Sequence, residues 1–435
     1  MSGVLCIDFG TSSIRAVRRM PSGKLKVLDI GRVARSRLDD ASIRSDIHID
    51  GKGLHVSYGE RAIVARHKSK TRLYESSPKL WLKSPKDLRR PAIDGIDLTR
   101  ENLISGLMAN VLRSCILAGE LSPSTLGKLD IRIAHPVWPS VIAADANAAL
   151  QRISAQAQGM VFERDWATVP VRTLAHFTAL RYAALHSSED VIEPVAAAVE
   201  LLPSVENARR ICAVVDVGAG TTDIGLFQAV APDPDSPVRG KLYRLGEARS
   251  LFKAGNVIDE IVLDVLRSRA NRPTTDAIEG VSVRIRQVKE ALFRDGFIQE
   301  LGAEVEVKDV QGHPEAKAMG RDIRTALEAA VQTSDSQISE FMDARTHSVT
   351  RLELVMAGGG AAIEFIRKAL EKPFEVRGKC LPVLVTKADD SEDADMNLFG
   401  AGRGRMAVGL GGASTGYEQL IHEIPLLERI STGRL

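Results

Sequence analysis

Aromatic residues make up only 4% of this 435-residue chain, which leaves few platforms on which the bases of a single strand could stack. Cysteine is scarcer. Cys6, Cys115, Cys212 and Cys380 lie far apart and form no C-x-x-C pair, which argues against a zinc site and against a disulfide framework. Reduced thiols in a cytoplasmic protein fit that pattern. Neither sign of charge dominates: 58 Lys and Arg face 56 Asp and Glu for a net +2, so no global field draws the chain to nucleic acid or to a membrane. No apolar run approaches the roughly 18 residues that span a bilayer. Asp8 breaks the first apolar run after Val4-Leu5-Cys6-Ile7, so no secretory leader is expected. The expected partners therefore include neither nucleic acid nor a membrane.

What is present is a globular composition, 44% apolar, in a chain too long for one ordinary core, so two or more lobes are expected. The chain is organised around Ile211–Phe227, ICAVVDVGAGTTDIGLF. An apolar run of strand type ends at Asp216, small residues and two threonines follow, and a second strand-like run begins after Asp223. Gly218 and Gly220 permit a tight turn with no side chain to block a ligand. Such a turn points backbone N–H groups and hydroxyls at one spot, which suits a phosphate. Asp216 and Asp223 flank that spot, and a carboxylate beside a phosphate is most simply explained by a bridging Mg2+. A Gly-rich hairpin with ordinary turn aspartates fits the same residues.

The design occurs earlier as well. Val4–Ile7 is followed by Asp8-Phe9-Gly10-Thr11-Ser12-Ser13 and a second strand, Ile14–Arg18. Two such hairpins in one chain predict two similar lobes, each with a phosphate-binding turn, and a nucleotide held between the lobes would use both. Residues 24–60 read as β-rich. Arg61–Arg90 carries ten Lys or Arg against two acids and reads either as a solvated helical face or as a docking surface for an acidic partner. Leu98–Leu117 and Ala143–Gln158 have helical patterns, and Leu129–His135 is strand-like. In Val191–Leu202, Pro194 starts an Ala-rich helix and Glu193 sits at its N-terminus, where a carboxylate is favoured. Gly255–Arg269, Val281–Phe293 and much of Arg321–Arg345 are helical. Leu352–Met356 is a strand that runs into the small-residue turn Gly358-Gly359-Gly360, and Ile363–Leu370 follows as a helix. The acidic stretch Asp389–Asp395 precedes a helix candidate at Asn397–Leu410.

Four segments in order, DFGTSS, EPVAAAVE, DVGAGTTD and AGGGAAI, resemble the actin, sugar-kinase and heat-shock-chaperone ATPase superfamily. They look like its first phosphate segment, first connecting helix, second phosphate segment and adenosine segment. Asn397–Leu410 would be the second connecting helix. The best match is the nucleotide-binding domain of the seventy-kilodalton heat-shock chaperones. The long separation of Asp8 from Glu193 leaves room for that family's upper subdomain, Lys289 in QVKEALF resembles the lysine that closes over adenine, and Gly255–Asp259 resembles the family's Gly-Glu-Asp-Phe-Asp turn.

The resemblance implies an α/β actin-like fold of two lobes, each a five-stranded mixed sheet with flanking helices and an upper subdomain. Lobe I would span 1–207 with its upper subdomain at 36–119, and lobe II 208–395 with its upper subdomain at 251–321. A connecting helix, 396–412, would return to lobe I ahead of a tail, 413–435. ATP or ADP would be held through Gly10, Thr11, Ser12, Gly218, Gly220, Thr221, Lys289, Gly358, Gly359 and Gly360. Mg2+ would be held through water by Asp8 and Asp216, and Glu193 and Asp223 would orient the attacking water or the hydrated metal. The family's catalytic lysine aligns with Ile63, with Lys68, Lys70 and Lys79 as substitutes. Its adenine-stacking arginine aligns with Ala362, and a glycine of the second phosphate turn with Ala219. The implied function is an ATP-binding, slowly hydrolysing switch that acts with separate protein partners and lacks the peptide-binding domain. A filament-forming bacterial actin relative and a small-molecule kinase are the alternatives.

Overall fold

The computed structural model describes residues 3–36, 38–180, 191–202, 209–230, 241–271, 273–343, 351–361, 363–387 and 403–414. The chain is a mixed α/β protein with two compact units. Met1–Ala196 and the helix Arg403–Ala413 belong to one, and Ala197–Asp389 forms the other.

In the first unit, Val4–Phe9 and Ser13–Arg19 form an antiparallel hairpin. Leu5, Ile7 and Phe9 alternate into the core, as do Ile14 and Ala16 across from them, the period of two that a half-buried strand requires. Leu25–Val27 extends the sheet beyond Ser13–Arg19. On the other side Asp130–His135 lies parallel to Val4–Phe9, and Val191–Ile192 parallel to Asp130–His135. Ser42–Arg44 adds a sixth strand by pairing with Ser13–Arg19, where five were expected. The helix Arg100–Gly119 packs under this sheet. Its start is fixed by a capping box: Thr99 Oγ1 accepts from the Asn102 amide at 3.1 Å and Asn102 Oδ1 from the Thr99 amide at 2.9 Å, which satisfies two amides that a helix start otherwise leaves without partners. It is one described helix long and apolar enough to cross a membrane, and most of it is buried inside the protein.

A smaller four-stranded sheet, in the order Thr71–Glu75, Ile47–Asp50, His55–Tyr58, Thr168–Pro170, completes this unit. Its last strand lies outside the 36–119 span expected for an upper subdomain. The basic stretch is not one solvated helix. It folds as the helix Glu60–Lys68, the strand Thr71–Glu75 and two short 3-10 helices, Pro78–Lys83 and Pro85–Arg89.

The second unit repeats the strand order of the first. Arg209–Val217 and Thr222–Val230 form the hairpin, Lys241–Leu251 follows antiparallel, and Leu352–Ala357 and Val383–Lys387 lie parallel on the other side. With Ser42–Arg44 set aside, both sheets therefore read third, second, first, fourth, fifth along the chain. The stretch expected as one helix at Val281–Phe293 is two, Thr275–Val283 and Ile285–Asp295, and Arg321–Arg345 is covered by Pro314–Thr333 and Asp335–Asp343. The expected helix at Asn397–Leu410 is described from Arg403 onward. Ala362, the acidic stretch Asp389–Asp395 and residues 415–435 of the tail lie outside the described residues.

Candidate functional site

In the first unit the parallel strands end together. Ala134 stands beside both Asp8 and Val191 in register, and His135 beside Ile192, so Asp8, His135 and Glu193 lie at the carboxyl ends, where open α/β sheets bind ligands. The turn after Asp8 is held from behind. Ser45 Oγ donates to the Gly10 carbonyl at 2.9 Å and the Ser45 amide to the Ser12 carbonyl at 3.3 Å. With those carbonyls turned to Ser45, the amides of Gly10 and Thr11 are engaged by no other described residue. A Cβ at Gly10 would overlap the Ser13 carbonyl, so this turn requires glycine. His135 stacks on Trp138 at 5.8 Å and donates from Nδ1 to the Pro136 carbonyl at 2.8 Å.

Lys79 brings its ammonium to Glu193, a buried ion pair. Of the three lysines named as substitutes for the one that Ile63 cannot supply, Lys79 is the one that meets Glu193. Ile63 is an apolar residue of the helix Glu60–Lys68, and Lys68 and Lys70 are exposed. The Ser77-Pro78 step turns the chain into the short helix that carries Lys79 inward. Burial raises the Asp8 carboxyl to about 6 and the charge of Glu193 adds to the shift, while Arg15 and Lys79 oppose it. Asp8 is thus mostly ionised at neutral pH but poorly solvated, a poise that a cation would relieve.

In the second unit, Asp216 sits one residue before the end of its strand, paired with Asp223 across the hairpin and with Ala357 on the parallel neighbour. Asp223 is buried and accepts from Ser250 Oγ. The turn closes on itself through the Gly218 amide and the Thr221 carbonyl at 2.9 Å. The carbonyls of Gly218 and Ala219 accept from the Gly255 and Asn256 amides, at 3.0 and 2.7 Å, and so point to the start of the helix Gly255–Arg269. That leaves the amides of Ala219, Gly220 and Thr221 engaged by no other described residue. Lys289 ties this place together. Its Nζ donates to the Gly255 carbonyl at 3.0 Å and lies 2.6 Å from Asp259.

The third glycine turn meets the second phosphate turn directly. The Gly360 amide donates to the Val217 carbonyl at 2.9 Å. Gly358 has φ +76°, and a Cβ there would overlap Asp216 Oδ1. Gly218, Gly220, Thr221, Asp216, Lys289 and Gly358–Gly360 are therefore one cluster within the second unit. Asp8, Gly10, Thr11, Ser12 and Glu193 are one within the first. Sequence reading missed Arg15, Ser45 and Ser250, and named Asp259 only as the end of the Gly255–Asp259 turn. Asp259 lies four residues after Gly255 on the same helix face.

The residues present fit a polyphosphate. Each unit offers a turn with amides turned outward and an aspartate on the strand that leads into it; a Cβ at Gly10 would overlap the Ser13 carbonyl, and one at Gly218 would stand 3.1 Å from the Thr221 carbonyl. Among the described residues no group of three or more His, Cys, Asp or Glu could hold a metal by itself. A Mg2+ bound by one or two carboxylates, water and substrate phosphates needs no such cage. No protein-family model matches the chain, and no curated protein sequence matches it.

Proposed function

We propose that this chain is a Mg2+-dependent ATP-binding protein with the two-lobed actin-like fold. One observation carries the reading. The same strand order occurs in both units, and in both the Asp-Gly-hydroxyl turn joins the first strand to the second. A Gly-rich hairpin that served only as a turn gives no reason for an aspartate and outward amides to recur at one topological position.

Within that reading Gly10, Thr11, Ser12, Gly218, Gly220 and Thr221 hold phosphate oxygens, and Gly358, Gly359, Gly360 and Lys289 border the nucleoside. Asp8 and Asp216 hold the hydrated Mg2+, which when bound neutralises charge on the phosphates and favours in-line attack by water. Glu193 positions a water and Lys79 fixes the Glu193 carboxylate. The reading keeps slow intrinsic hydrolysis, with Lys79 as the candidate for the lysine that Ile63 cannot supply. We propose a cytoplasmic switch that passes its nucleotide state to separate protein partners.

The test is a melting curve with and without millimolar MgATP. Ligand that binds only the folded chain raises the melting temperature by mass action. The wild type should show the shift and Asp216→Ala should not. A wild type whose melting does not respond to MgATP would overturn the reading.

A further inference from the structure

Two buried polar atoms beside the first turn have no hydrogen-bond partner among the described residues. Ser42–Arg44 pairs with Ser13–Arg19 so that Arg15 stands opposite Ser42 and Ile14 opposite Ile43. Ile14 and Ile43 enter the hydrophobic core, so alternation sends Arg15 and Ser42 to the other face. Asp8 shares that face, because it lies directly across the hairpin from Arg15. Arg15 is 8% exposed and Ser42 fully buried, yet Arg15 Nε and Ser42 Oγ have no hydrogen-bond partner.

The neighbouring cations are all committed. Lys79 is held by Glu193, Arg44 lies 3.4 Å from Glu60, and Arg132 bonds to Asp130 and to the Gly412 carbonyl. Arg15 faces Asp8 across the hairpin, and its charge favours the ionised Asp8 carboxylate, but its Nε makes no hydrogen bond among the described residues. A buried guanidinium N–H left unbonded is costly, and nearly all buried polar atoms in proteins are satisfied. Two such atoms in one register pair, next to a turn with outward amides, point to a missing anion.

We propose that Arg15 and Ser42 form a seat for a phosphoryl group of the nucleotide, an inference that rests on the nucleotide reading above. The guanidinium offers a planar fork of donors matched to phosphate oxygens, and the serine hydroxyl adds one more. Asp8 by itself repels a phosphate, and a guanidinium across the hairpin offsets that repulsion. The arrangement also makes a demand on the ligand-free protein: Asp8 offsets part of the Arg15 charge, but the Nε N–H stays unbonded until an anion arrives. Removing the charge therefore weakens binding far more than it weakens the fold.

The experiment is calorimetric titration of the full chain with MgATP and, separately, with inorganic pyrophosphate, together with melting of the ligand-free protein. The wild type is compared with Arg15→Met, Arg15→Lys and Ser42→Ala. Arg15→Met should lower affinity for both probes by at least about tenfold, as loss of a charged hydrogen bond implies. Arg15→Lys should recover part of the loss and Ser42→Ala should show a smaller one. The ligand-free melting temperature of Arg15→Met should stay close to that of the wild type. Affinities within twofold of wild type for both probes in Arg15→Met would overturn the seat and leave the nucleotide reading standing. A wild type that binds pyrophosphate through Arg15 but not MgATP would overturn the nucleotide reading and retain an anion seat, and binding of neither probe would overturn both.

Discussion

Lys79 and Glu193, 114 residues apart in the chain, meet as a buried ion pair with side chains only 3% and 6% exposed. Removing one member of such a pair leaves an uncompensated charge in a poorly solvated place, at a cost of about 3–5 kcal/mol. Lys79→Met should therefore destabilise strongly, and Lys79→Met with Glu193→Gln should recover much of the loss. A double-mutant cycle by denaturant melting measures the coupling. Single-turnover assays should find ATP hydrolysis slowed in Lys79→Met even under conditions where it is fully folded.

Gly358 and Gly359 are adjacent but should not behave alike. Alanine at 358 meets Asp216 Oδ1 at a left-handed backbone angle, whereas a Cβ at Gly359 meets nothing within 4 Å. Left-handed backbone alone costs a non-glycine residue roughly 1–2 kcal/mol, and the displaced carboxylate adds to it. Gly358→Ala should lose the MgATP-induced rise in melting temperature, and Gly359→Ala should keep most of it.

Lys289 acts as a brace for the start of the helix Gly255–Arg269. Lys289→Met removes both the bond to the Gly255 carbonyl and the ion pair with Asp259. The Gly255 and Asn256 amides should then exchange with solvent faster, read by hydrogen exchange, while amides in the middle of the helix keep their wild-type protection.

Asp46 supplies a pH dependence. Burial raises its carboxyl from 3.8 to about 6, opposed by a hydrogen bond from Tyr74 and by the charge of Arg44. The folded state thus binds this proton more tightly than the unfolded state, and stability falls as pH rises from about 4 to about 6 and stays lowered above it. The full linkage is on the order of 3 kcal/mol. Asp46→Asn should be at least as stable as the wild type at pH 7.5, with the difference shrinking toward pH 5, as paired melting curves would record.

The hairpins were legible because an apolar run, an aspartate and a Gly-rich turn are local patterns, and so was Arg100–Gly119, whose apolar spacing and capping residues lie in one stretch. Lys79 was only one of three candidates, because a count of ten cations cannot say which of them a pair of proline-led turns sends inward. Thr168–Pro170 was missed because three residues cannot display a period. Arg15 and Ser42 escaped notice because their meeting depends on strand register, which neither segment states by itself. The clustering of Gly358 with Asp216 required the parallel pairing of strands far apart in sequence.

Gly411, in the helix Arg403–Ala413, has no side chain, and the Ala196 carbonyl fills the space that one would take, while Gly412 lies against Cys6 and Val191. Backbone meets backbone at that point, so any side chain at 411 would have to push Ala196 away and with it the start of its helix, where Glu193 stands only three residues earlier. The position of the Glu193 carboxylate thus depends on a glycine more than two hundred residues further along the chain.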